Sequence, residues 1–205
     1  DEIKPTIAIL VPRNTRGVEV IEALKKRNVE VIELISSTST TRAAAGSLNY
    51  LLSYLADPQS ARKLSKAYEV WRRDWREEVE KAEFVKVVSS LIQRIGQVEN
   101  FIAPSRSGDN ESDWLASISA DEAEQVIEEL KDFRVYVQRW LNAVTLPIDQ
   151  LVLTLAQDVF TEAADLALAH KLALVLRKAA DDHNEWRLPE LTAELAVIAK
   201  NERRF

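Results

Sequence analysis

From about residue 42 onward, apolar side chains return every three or four positions, and little interrupts them. That spacing lines one face of an α-helix, whereas a half-buried strand needs strict alternation. Only 4 Gly and 6 Pro occur in 205 residues, so turn markers are few and long helices are favoured. The periodic segments run roughly over 42–56, 58–81, 82–101, 121–144, 147–160, 161–183 and 189–203. Leu48, Leu51, Leu52 and Leu55 mark the inner side of the first, with Thr40 or Thr41 as its expected cap. Asp57-Pro58 reads as the next helix start, a capping Asp followed by Pro at the first helical position. Residues 103–113 (APSRSGDNESD) read as a loop. No repeat period emerges, which argues against a solenoid.

The beginning of the chain breaks this pattern. Residues 6–11 (TIAILV) form a short apolar run rich in β-formers and ended by Pro12, and residues 29–35 (VEVIELI) alternate like a second strand. Between them, over 17–27, Val18, Val20, Ile21 and Leu24 recur with helical spacing. Lys25, Lys26 and Arg27 followed by Asn28 suit a helix C-terminus: cations beside exposed carbonyls, then a residue tolerant of left-handed backbone. Strand, helix and strand joined by short loops imply a parallel pair with a right-handed crossover. Two strands make no stable sheet alone, so the remainder of the sheet is expected elsewhere. The ends, Asp1 and Phe205, likewise read as cuts in a longer polypeptide. The expected fold class is therefore mostly α: a helical bundle-like subdomain over 58–205, preceded by a partial α/β (βαβ) piece over 1–57.

Chemistry is conspicuous for what is missing. With 46% hydrophobic and 29% charged residues the chain is globular in composition. The absence of cysteine excludes disulfides, thiolate zinc sites and cysteine nucleophiles. No glycine-rich phosphate loop ending in Lys-Ser/Thr occurs, and no GxGxxG follows either β-type run. His170, among Leu166, Leu168 and Leu172, reads as packed or surface, and His183 in Asp181-Asp182-His183-Asn184 as a helix-end cap. Glu122, Glu124, Glu128 and Glu129 read as an acidic helix start favoured by the helix dipole, not as a metal site. No catalytic residue and no metal ligand is expected. A net charge of −6 argues against nucleic-acid binding through global electrostatics, while leaving room for a local basic rim. No signal peptide and no long charge-free apolar run occur, so a cytoplasmic location without membrane partners is expected.

One stretch mixes bases with rings: Arg62, Lys63, Lys66, Tyr68, Trp71, Arg72, Arg73, Trp75 and Arg76. Cations on phosphates and stacked rings are the grammar of single-strand binding. Leu64, Tyr68, Trp71 and Trp75 nevertheless fall three or four apart, and Glu69, Asp74, Glu77 and Glu78 dilute the charge. Core packing is the preferred reading.

Three segments carry a resemblance. The first is Ile7-Ala8-Ile9-Leu10-Val11-Pro12-Arg13-Asn14. The second is Ile21-Glu22-Ala23-Leu24 followed by Val29-Glu30-Val31-Ile32. The third is Arg42 through Leu48, Tyr50-Leu51 and Leu55-Ala56-Asp57-Pro58. In this order they resemble the second motor domain of a UvrD/Rep-type superfamily 1 DNA helicase. Leu146-Pro147-Ile148-Asp149-Gln150-Leu151 is similar to a helix start in that family's insertions. The resemblance implies that 1–57 is part of the second RecA-like domain and 58–205 its all-helical insertion subdomain. It also implies a parent chain that couples ATP hydrolysis, with magnesium, to DNA unwinding or repair. The ATP motifs would precede residue 1, and the later Lys-Gly motif would follow Phe205. This stretch itself would hold no cofactor, and its partners would be DNA and the remaining motor domains. In the family an Arg-x-Asn turn lies beside the single-stranded DNA groove. Asn14 matches it, Pro12 stands where the Arg belongs, and Arg13 and Arg16 are the neighbouring cations. A purely turn-forming role for Asn14 stays open. The family's Gly-Ile-Gly duplex element is not recognisable, Arg94-Ile95-Gly96 being its nearest echo. The alternative is a free-standing helical protein-interaction or regulatory module.

Overall fold

The computed structural model describes residues 9, 11, 14–29, 39–104, 113–118 and 124–200. Among them stand nine α-helices: α1 (Asn14–Lys25), α2 (Ser39–Ala56), α3 (Ala61–Trp71), α4 (Val79–Gln93), α5 (Val98–Ile102), α6 (Glu124–Ala143), α7 (Ile148–Val159), α8 (Ala163–Asp182) and α9 (Leu188–Ala199). The described residues include no strand; Ile9, Val11 and Val29 lie in none, and the rest of both expected strands falls outside the described residues.

α2 is the central element for a reason written in its sequence. Arg42 is its one charged residue, so no charge in its later turns has to face water, although Tyr50 is exposed there. Ala44, Ala45, Leu48, Leu51, Leu52, Tyr54 and Leu55 are buried. They serve neighbours on several sides, since α2 packs against α9, α3, α8 and α7. Asn49 ties the closest of these pairs, its Nδ2 donating to the Thr192 carbonyl of α9 at 2.8 Å. Each fully buried leucine contributes about 1.5–3 kcal/mol. One core cluster runs from Ala44 to Ile198, so α2, ahead of the expected division at 57/58, packs with the helices that follow it. The α2 glycine is not needed for close approach: a Cβ on Gly46 would meet nothing within 4 Å. Gly46→Ala is therefore expected to stabilise the protein by about 1 kcal/mol, because alanine loses less backbone entropy in a helix. A lower urea midpoint for this variant would contradict the packing described for α2.

α1 closes as its composition suggests. Asn28 has φ of 56°, and the Val29 and Asn28 amides donate to the Leu24 and Lys25 carbonyls at 3.1 and 3.0 Å. This is a Schellman closure, which places the left-handed residue just past the helix end.

Several expected boundaries are corrected. The span 58–81 is not one helix. Ser60, not Asp57, caps α3, its Oγ accepting from the Lys63 amide at 3.3 Å. Asp57 instead receives Lys63 Nζ at 2.8 Å. Helical geometry ends at Arg72, and residues Arg73–Glu77 form a 3-10 turn that brings Trp75 beside Phe84, ring centroids 6.3 Å apart. The span 82–101 also breaks, at 94–97, where Ile95 turns inward and Gly96 outward. Thr40 and Thr41 lie inside α2, which begins at Ser39. Pro147 precedes α7 as its cap position, close to the expected start.

Candidate functional site

The densest chemistry lies between α3 and α6. α6 carries an inward stripe of Val126, Glu129, Leu130, Phe133, Val137 and Trp140. Phe133 is the hub: its ring meets Tyr68, Trp71, Phe101 and Trp140 at centroid distances of 5.2, 5.4, 6.5 and 6.1 Å. Trp140 also donates its Nε1 hydrogen to Asp158 at 2.8 Å, and Arg139 pairs with the same carboxylate.

Above this hub sits a charged lock. The Arg72 guanidinium lies 3.6 Å from the Trp71 ring centroid and 4.1 Å from that of Trp75. Its Nε and Nη2 donate to the two Glu129 carboxylate oxygens at 2.6 and 2.7 Å. The Tyr68 hydroxyl donates to Glu129 Oε1 at 3.0 Å. Burial first, and then the Glu129 carboxylate, push the Tyr68 phenol well above its ordinary value, so it remains a donor. Both oxygens of a carboxylate only 7% exposed are thus engaged. This arrangement holds helices together; it offers no cation to a phosphate.

Other members of the basic-aromatic stretch are also engaged, although Arg62 and Arg76 stand exposed. Lys66 pairs with Glu69 at 2.7 Å, and Arg73 pairs with Asp165 at 2.9 Å while lying over the Phe160 ring. Tyr68 is fully buried, and Trp71 and Trp75 pack against the core. The spacing of Leu64, Tyr68, Trp71 and Trp75 was thus the informative signal, and the run of bases was not. Glu129 escaped the sequence reading, which grouped it with the acidic helix start. Its signal was position: it falls on the apolar stripe between Val126 and Phe133.

The residues singled out as DNA contacts occupy the other end of the chain. Asn14 is the first residue of α1, and Arg16 stands on its first turn. The Arg16 side chain is 72% exposed and pairs with Glu19 at 3.1 Å. Arg13 lies outside the described residues.

Catalytic arrangements are not assembled among the described residues. His170 is exposed on α8, while the His183 ring stacks on Trp186 at 4.2 Å beyond the end of that helix. No group of three His, Cys, Asp or Glu residues there could hold a metal ion. No helix there is long and apolar enough to cross a membrane. An open cavity of about 200 Å³ is lined by Pro58, Gln59, Glu99, Ile102, Ala103 and Leu141. Glu99 is the one ionisable residue in its lining.

A clamp fastens the far side of α6. Arg134 donates to both Asp113 oxygens, at 2.5 and 3.1 Å, and Asp113 accepts from the Leu115 amide at 3.0 Å. Burial works to raise the Asp113 carboxyl, but the Arg134 bond, the Leu115 amide and nearby positive charge outweigh it and hold it below 3.8. A depressed folded pKa stabilises fully above the unfolded value and ceases to do so as pH falls through the folded one. The wild type and Asp113→Asn should therefore differ in urea midpoint above the ordinary carboxylate range and converge as pH falls through the depressed folded pKa of Asp113. A difference independent of pH would remove the clamp as its cause.

Comparison with known proteins identifies no relative: no family model, no curated protein and no solved structure matches the chain.

Proposed function

We propose that this chain is an accessory, non-catalytic part of an ATP-dependent DNA helicase of UvrD/Rep type. In this reading residues 1–57, with α1 and α2, belong to the second motor domain, and the helical insertion follows over 58–205. The observation that carries it is the order of the family-like segments. Asn14 opens α1, Ile21-Glu22-Ala23-Leu24 lies within it, and Arg42 to Ala56 lies within α2, directly ahead of Asp57-Pro58. The described residues beyond that point contain only helices and the turns between them, which suits a helical insertion.

DNA is then the partner of Arg13, Asn14 and Arg16. The first turn of a helix carries amides without intrahelical acceptors and the positive end of the dipole, both suited to phosphate oxygens. ATP and magnesium belong to motor domains of the same polypeptide. The helical body acts as an accessory surface toward duplex DNA, partner proteins or the motor.

A second reading, a free-standing helical interaction or regulatory module, is favoured by the single core that closes within α2 to α9. One experiment separates the two. The coding sequence upstream of Asp1 should encode a phosphate loop ending in Gly-Lys-Ser/Thr. The polypeptide extended in both directions, through that loop and through the Lys-Gly motif expected after Phe205, should hydrolyse ATP when single-stranded DNA is added, while residues 1–205 alone hydrolyse none. An upstream sequence without the loop sinks the helicase reading and leaves the module.

A further inference from the structure

We draw no further inference here: the strongest candidate, the outward face of α8 on which Ala167, Lys171, Leu174 and Lys178 stand exposed, carries nothing because nothing in the structure shows what covers it.

Discussion

Phe133→Ala is expected to destabilise the protein by about 4 kcal/mol, with a fall in Tm of roughly 10 °C. The side chain is fully buried and touches four other rings, two of them, Tyr68 and Trp71, on α3 and one on α5. Removing it deletes the transfer free energy of the ring and leaves a cavity whose walls are themselves large and rigid. Collapse to fill the space is therefore poor, which puts the cost toward the upper part of the range for such truncations. Val135, two residues along the same helix and 64% exposed, provides the control. Val135→Ala should change stability by no more than about 0.5 kcal/mol. Urea unfolding of both variants decides the matter: a loss under about 1.5 kcal/mol for Phe133→Ala would mean the ring cluster is not the hub described.

Glu129→Ala should cost about 3 kcal/mol. The expense arises less from losing an ion pair than from what stays behind. Arg72 keeps its charge between Trp71 and Trp75 with no acceptor, and the Tyr68 hydroxyl loses its only partner seen here. Arg72 is 21% exposed, so water offsets some of the penalty, and the lower end of the range for broken buried pairs applies. Arg72→Met combined with Glu129→Leu should recover much of the loss, because neither an uncompensated charge nor an empty site remains and only the Tyr68 hydroxyl is left without Glu129. Additive losses in the double variant would refute the lock. The Lys86–Glu83 pair on α4 makes a useful contrast at 3.0 Å, with both side chains about 70% exposed. Its removal should change stability little, since solvent already screens it. Similar contact distances thus have different consequences, and burial decides which pair matters.

The sequence was informative wherever the governing physics is local. Helical periodicity reports which face each segment buries, and Leu48, Leu51, Leu52 and Leu55 all lie in the core as that rule requires. The closure at Asn28 was legible because an asparagine after three cations satisfies helix-end requirements within a few residues. The start of α1 was legible only approximately. The helix was expected from residue 17 and begins at Asn14, so the residue named as a turn is the helix's first.

Breaks within the helical stretches were not legible. A helical run continues while local spacing is satisfied, and nothing near Arg72 forbids continuation. It ends where Arg72 can reach a carboxylate 57 residues away, a partner no local window contains. The same separation hid Glu129, which looked like one more acid favoured by a helix dipole. What the sequence by itself determined is that the stretches from about residue 42 onward, α2 to α9 among the described residues, are helical, and which of their residues line the interior, since 3.6-residue periodicity is encoded within each segment. Only the tertiary structure decided which buried polar groups meet, and with them that Tyr68 and Arg72 lock onto Glu129. Desolvating a charge is costly, so its place is set by whichever distant partner can satisfy it.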